Sequence, residues 1–247
     1  MEIIQAKQKI KVDVVSDVAC PWCYIGKNRL ENAVNELSDQ FDFEIHFKPF
    51  QLDPTIPKEG TDRKTYFTNK FGSEDRVEEI FHRVETAGES VGIEFKFREI
   101  PKAINTLPLH VLLKVAETEG FQKELAKVLF EAYMVKPQDL SNPQTLVTIM
   151  KTFGWSEEKT LNNINNNSYI LEVKNEIAHY QQLGVSGVPF FIINDKFGIS
   201  GAQPSETFIS AFKSLKTEDF PAQAPNACSV EDGCSISKAE FEGMKAD

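Results

Sequence analysis

The chain has 247 residues, 27 Lys and Arg against 37 Asp and Glu, a formal net charge of −10, and 41% hydrophobic against 26% charged residues. Duplex binding rests on clustered cations that replace counterions, so this balance excludes a protein built to grip nucleic acid. No run approaches the roughly 18 apolar residues of a bilayer-spanning helix, and the start from Met1 to Lys9 lacks a basic end followed by an apolar segment, so no membrane partner and a cytoplasmic location are expected.

In chain order, Ile10 to Ser16 is rich in β-branched residues and predicts a strand buried on at least one face. Cys20-Pro21-Trp22-Cys23 follows, and then Leu30, Ala33, Val34 and Leu37 fall at i, i+3, i+4 and i+7, one apolar helical stripe. Pro21 suits a helix's first turn because its missing N–H would be unpaired there, which puts Cys20 at the helix N-terminus. Phe43 to Phe47 alternates with period two, so the chain opens β-α-β and predicts an α/β fold with a partly parallel sheet.

From about Thr61 to Leu183 the period is helical. Stripes run through Val77, Ile80, Phe81 and Val84, through Leu109, Leu112, Leu113 and Ala116, and through Leu125, Val128, Leu129 and Ala132. Asn142-Pro143 reads as a cap and first residue of another helix, and Gly184 is placed to end one over Ile170 to Leu183. Ile93 to Phe97 alternates as a short extended piece would, and the Asn-rich run Asn162 to Asn167 suits a loop. After Gly184 the strand period returns: Val188 to Ile193, a two-residue Asn194-Asp195 turn, then Lys196 to Ile199, a β-hairpin. A last helix carries Phe208, Ala211, Phe212 and Leu215 on one face, with Pro204 in its first turn. Beyond Thr217 the pattern fades into a linker and polar tail.

Four cysteines are too few for a disulfide-stapled scaffold, and they fall as two close pairs, Cys20 with Cys23 and Cys228 with Cys234. Thiols two residues apart close a disulfide with little backbone motion, and the unpaired N–H groups and positive dipole end at a helix start favour thiolate. Cys20 is so placed and is the expected nucleophile of a mixed disulfide; Cys23, one turn deeper, is the expected resolving thiol. Pro21 and Trp22 are the expected tuners of redox potential, Pro21 by removing an N–H and Trp22 by shielding the site with an apolar surface. The alternative is half of a zinc site or a chance pair. Zinc needs four ligands, and Cys228 and Cys234 sit on an apparent tail with unusual spacing, so no metal is expected.

Cys20-Pro21-Trp22-Cys23 after a first strand, with Gly184-Val185-Ser186-Gly187-Val188-Pro189-Phe190-Phe191 before a hairpin, resembles the thioredoxin superfamily and its DsbA-like branch. The resemblance implies a thioredoxin-like fold, residues 9–60 and 184–216, with an inserted all-helical domain, residues 61–183 including the helix that returns, and a tail, 217–247, with the second Cys pair. It also implies that Pro189 is cis and that Val188 offers backbone groups to an extended substrate; the residues themselves say only that Pro189 begins a strand, a permitted place. Val15 to Gly26, Lys48 to Pro54, Leu107 to His110 and Val185 to Pro204 further resemble the cytoplasmic FrnE-like dithiol oxidoreductases, over about residues 9–216. One departure stands out. Many thioredoxin-like proteins carry a buried acid six residues before the nucleophile; here that position is Val14, adjacent strand residues point to opposite faces, and Asp17 is only a weak candidate for the proton relay, which leaves water or another group.

The expected function is thiol–disulfide oxidoreductase or isomerase, with protein or peptide thiols and disulfides as partners, glutathione among them, and no cofactor. Two alternatives stay open: a glutathione-dependent transferase or isomerase of the kappa-class or 2-hydroxychromene-2-carboxylate isomerase type, which use serine where Cys20 stands, and a redox-switched binding module or chaperone. For Cys228 and Cys234 the readings are an auxiliary redox pair, an incidental bridge or a metal site; Glu231 and Asp232 between them disfavour a strong nucleophile. His110 beside an apolar stripe reads as a packed or surface histidine, and His46, His82 and His179 have no metal or triad spacing.

Overall fold

The computed structural model describes residues 7–215 and 227–229. The first strand, β1 (Gln8–Ser16), holds Ile10, Val12, Val14 and Val15 fully buried, so its β-branched residues pack on both faces, as a central strand requires. Helix α1 (Pro21–Glu36) leads to β2 (Phe41–Pro49), which pairs parallel to β1 with Val12 opposite Ile45. The chain returns to this sheet only with β5 and β6, after the two short strands and seven helices described next.

Between β2 and β5 the chain is helical apart from one small ladder. Strand β3 (Thr61–Asp62) pairs antiparallel with β4 (Lys102–Ala103), enclosing α2 (Arg63–Phe71) and α3 (Glu74–Glu89). Then come α4 (Leu107–Glu119), α5 (Gln122–Met134), α6 (Pro143–Lys151), α7 (Glu157–Ile164) and α8 (Asn167–Gln182). Strand β5 (Phe190–Ile193) pairs antiparallel with β1, and β6 (Phe197–Ser200) with β5; α9 (Ser205–Ser214) follows, and β7 (Ala227–Ser229) lies against β6. The sheet order is β2-β1-β5-β6-β7.

Several local expectations change. Ile93 to Phe97 is no strand: it runs into a 3-10 turn over Phe97–Glu99, and its alternating Ile93, Phe95 and Phe97 are buried without a ladder. The Asn-rich run is not one loop. Asn162 and Asn163 lie in α7, and the Asn166 side chain accepts from Ser168 N at 2.9 Å to cap α8, a use of asparagine that composition cannot distinguish from a turn. The hairpin has three connecting residues, because Ile193 pairs with Phe197, and Asn194 and Asp195 take φ of 50° and 57°, left-handed values that these two side chains tolerate. Pro204 stands just before α9 as its N-cap residue instead of inside it.

One core cluster runs through both parts of the chain, from Val12 and Val14 of β1 to Leu109 of α4, Phe130 of α5 and Phe208 of α9. A smaller one, with Val15, Phe50, Tyr180, Phe190 and Ile192, covers the other face of the sheet. The free edge of β2 is closed by a side chain. Buried Gln122 accepts from Phe47 N at 2.8 Å and donates to Phe47 O at 2.9 Å, making with its amide the two bonds a neighbouring strand would make.

Candidate active site

The two thiols sit where β1 hands over to α1. Cys20 is the N-cap residue in extended conformation, with Pro21 at the first helical position, so the sequence itself starts the helix there. The Cys20 Sγ accepts from the Cys23 N–H at 3.3 Å, the use of a side chain that an N-cap makes. Its own S–H donates to the Val188 carbonyl at 3.5 Å, so the cysteine and the loop before β5 meet although 168 residues separate them. Both cysteines are free thiols, Cys20 4% exposed and Cys23 fully buried.

The Val188–Pro189 peptide is cis. The Pro189 carbonyl accepts from Gly201 N at 2.9 Å, which ties this loop to the end of β6. The same loop approaches α1 at Gly26, where an added Cβ would lie 3.0 Å from the Phe191 ring and 3.1 Å from Pro189 Cγ. Glycine lets α1 and the proline loop come this close without displacing the Phe191 or Pro189 side chain, a role invisible to hydropathy. Trp22 is 40% exposed beside the buried thiols, and Leu52, 42% exposed, is a second apolar side chain left in solvent, on a loop bonded to the Asp17 side chain.

Asp17 organises the turn into the motif. Its carbonyl accepts from Cys20 N at 2.9 Å, its Oδ1 from Ala19 N at 3.1 Å, and its Oδ2 from Leu52 N at 2.7 Å, so the loop after β2 is hung on the residue that precedes the dithiol. Complete burial pushes the Cys23 thiol well above its ordinary range; the Cys20 sulfur and the Asp17 carboxylate push it further up, while a hydrogen bond from the Asp17 backbone N–H pulls the other way. Cys23 is thus held as a thiol. His110, on α4, is 3% exposed and puts Nε2 3.7 Å from Asp17 Oδ1 with no hydrogen-bond partner.

Of the residues singled out in the sequence, Cys20, Cys23, Pro21, Trp22, Val188 and Pro189 converge at this point. Cys228 lies in β7 opposite Gly198, but its side chain and all of Cys234 lie outside the described residues. Val14 stands in the same core cluster as Cys23, so the strand position beneath the motif is apolar. Gly26, the Leu52 amide and the contact between His110 and Asp17 are what the sequence reading missed. Nothing in the sequence spacing around His110 points to Asp17. Among the described residues no three His, Cys, Asp or Glu side chains group as metal ligands, and no helix is long and apolar enough to cross a membrane.

A buried thiol pair opening a helix after the first strand of a mixed sheet, faced by a cis-proline loop, defines a thioredoxin-like α/β protein with a dithiol site. The chain belongs to the DSBA-like thioredoxin domain family, whose model matches residues 11–213. It is similar to a probable DsbA oxidoreductase from Streptomyces coelicolor, with 28% identity, a TM-score of 0.78 and coverage of 87% of this chain and 93% of that one. A 2-hydroxychromene-2-carboxylate isomerase shares the fold at 14% identity and a TM-score of 0.65, covering 84% of this chain and 97% of that one. The uncharacterized protein YwbO of Bacillus subtilis is 22% identical over 203 residues, 82% of this chain and 95% of the relative.

Proposed function

We propose that the protein is a cytoplasmic thiol–disulfide oxidoreductase or isomerase acting on protein or peptide disulfides, glutathione disulfide among the smaller ones, through Cys20 and Cys23. The observation that carries this reading is the asymmetry of the pair: Cys20 caps a helix beside the Val188 carbonyl, and Cys23 is buried a turn below and held protonated. The Cys20 thiolate attacks one sulfur of a substrate disulfide, forming a Cys20–substrate disulfide and releasing the other substrate thiolate. Cys23 then loses its proton and attacks the Cys20 sulfur, forming the Cys20–Cys23 disulfide and releasing the second thiolate. An external dithiol returns the pair to its reduced state. In the oxidising direction the same steps run backwards.

Exposed Trp22 and Leu52 offer apolar surface to an unfolded or extended chain, and the Val188 carbonyl is positioned to accept a hydrogen bond from a substrate backbone. The helical residues 61–183 are read as an insertion into a thioredoxin-like domain of residues 9–60 and 184–216. Fold likeness to the carboxylate isomerase does not extend to its chemistry here, since that reading calls for serine where Cys20 stands.

The test is reduction of insulin by dithiothreitol with the wild type, Cys20→Ser and Cys23→Ser. The wild type accelerates precipitation and Cys20→Ser does not. Equal activity in all three would remove the oxidoreductase reading.

A further inference from the structure

The Val188 carbonyl meets the Cys20 sulfur from a loop that the sheet does not hold in place. Strand β5 begins at Phe190, opposite Ser200 at the end of β6, so Val188 and Pro189 lie beyond the ladder. What reaches them is the segment that leaves β6. Gly201, at φ of 77°, turns the chain, and its N–H donates to the Pro189 carbonyl at 2.9 Å. One residue on, the Ala202 carbonyl accepts from Arg29 Nη1, and Ser205 Oγ donates to the Arg29 carbonyl at 2.9 Å. Arg29 belongs to α1, the helix that the dithiol opens, and grips the departing segment with both its side chain and its backbone.

We propose that Arg29 is a positioning residue that fixes the Val188 carbonyl for pairing with a substrate backbone, and so makes the protein prefer extended peptide disulfides to small ones; the proposal rests on the oxidoreductase reading above. Among the described residues, the hydrogen bonds that tie residues 201–204 to distant parts of the chain are those at Pro189 and at Arg29. Without Arg29, the Gly201 amide would hold the proline loop from a segment that is itself loose. The guanidinium is braced as well. Its Nη2 donates to Ser90 Oγ at 3.4 Å, at the C-cap of α3, and that hydroxyl donates in turn to the Ala87 carbonyl at 2.7 Å. A planar fork with one prong on a carbonyl and the other on a fixed hydroxyl has little freedom to swing, which a single flexible ammonium would keep.

Gly26 and Arg29 are three residues apart and share a face of α1. A Cβ at Gly26 would lie 3.1 Å from Pro189 Cγ and 3.4 Å from Ala202 Cα, so this face meets both sides of the Gly201–Pro189 bond. The close approach and the arginine bond therefore fix the same loop against the same helix.

The consequence falls on one class of substrate. The Val188 carbonyl has two lone pairs, and the Cys20 S–H uses one at 3.5 Å, which leaves the other for a substrate N–H. A peptide carries backbone N–H groups beside its cysteine; a small alkyl disulfide carries none. Misplacement of the carbonyl thus weakens the orientation of a peptide and leaves the small disulfide with nothing to lose.

Oxidation of the reduced protein by two disulfides tests this, followed by quenched alkylation of the remaining thiols. One is a peptide disulfide with several residues on each side of its cysteine, the other bis(2-hydroxyethyl) disulfide, which has no amide. The readout is the ratio of the two rate constants, since loss of folded protein lowers both. In Arg29→Met, which keeps an apolar stem without donors, the ratio is expected to fall about tenfold through the peptide rate. Arg29→Lys, which restores one donor to Ala202, is expected to return the ratio to within about threefold of wild type. N-methylation of the amides flanking the peptide's cysteine is expected to slow wild type about tenfold and Arg29→Met by less than about twofold, because the two changes break one contact. An unchanged ratio in Arg29→Met, or an N-methyl effect as large in the variant as in wild type, overturns the proposal. Failure of the underlying reading shows before any variant is made: the wild type would be oxidised by neither disulfide.

Discussion

Two cysteines of identical chemistry differ here because of where the chain puts them, and the difference has a thermodynamic signature. Burial raises the Cys23 thiol in the folded state above its ordinary value of 9.0. In the unfolded chain it ionises near that ordinary value, so at higher pH the unfolded state has lost a proton that the native state still holds, and native stability falls as pH rises through and above about 9. The loss runs at up to about 1.4 kcal/mol per pH unit for one group, before relaxation reduces it. Urea unfolding of the reduced protein at about pH 8 and pH 10 checks this: Cys23→Ala is expected to flatten the decline relative to wild type. Buried Tyr24, pushed up to about 12, contributes with the same sign and is common to both proteins, so the comparison isolates the thiol. At this scale the sequence was informative where chemistry is local. A CxxC motif with proline at a helix start declares its N-cap in four letters. Asp17 and His110 are 93 positions apart and meet only through the fold, as the ion-pair distance between them records.

Among the elements, the helix α1 owes its position to two contacts of opposite kind. Gly26 lets it approach the Val188–Pro189 loop, and Tyr24 stacks on Phe130 of α5 with ring centroids 5.2 Å apart and 7° between planes. In Gly26→Ala the gain in helix propensity of about 1 kcal/mol is expected to be outweighed by overpacking against Pro189 and Phe191, costing about 1–3 kcal/mol. The readouts are the urea midpoint and insulin reduction, both lowered; a more stable variant of full activity would show that the loop yields freely. At the far side of the sheet, Gln122→Ala strips the Phe47 N–H and C=O of their partners at once. The expected cost is about 2–3 kcal/mol, from two buried polar groups left unpaired, and is measured by the same unfolding curve. Element type was legible wherever an amphipathic period ran ten residues or more, as in α3, α4 and α5. It was not legible in Ile93 to Phe97, where alternation reflects burial against helices, nor in the two-residue strands β3 and β4, whose ladder depends on residues some 40 positions apart.

For the molecule as a whole, the continuous core means that the sheet and the helices between β2 and β5 are expected to unfold together. The two tryptophans make this measurable, because Trp22 reports on the dithiol and buried Trp155, bonded to Glu119 at 2.9 Å, on the helices. With Trp22→Phe and Trp155→Phe, the urea transitions followed by the remaining tryptophan are expected to coincide once each variant's own stability is taken into account. Two separated transitions would divide the chain into independent units. The order β-α-β, helices, hairpin, helix was readable from hydrophobic period alone; the joining of its two ends into one site was not, since period carries no information about which distant strand neighbours β1.

The central claim is that Cys20 is the nucleophile and Cys23 the thiol that releases the product. Incubating Cys23→Ser and Cys20→Ser separately with a peptide disulfide and weighing the intact proteins by mass spectrometry tests it directly. Cys23→Ser is expected to accumulate a one-to-one covalent adduct on Cys20 that a reducing agent removes, and Cys20→Ser to accumulate none; an adduct on Cys23 in Cys20→Ser, with none in Cys23→Ser, would contradict the account.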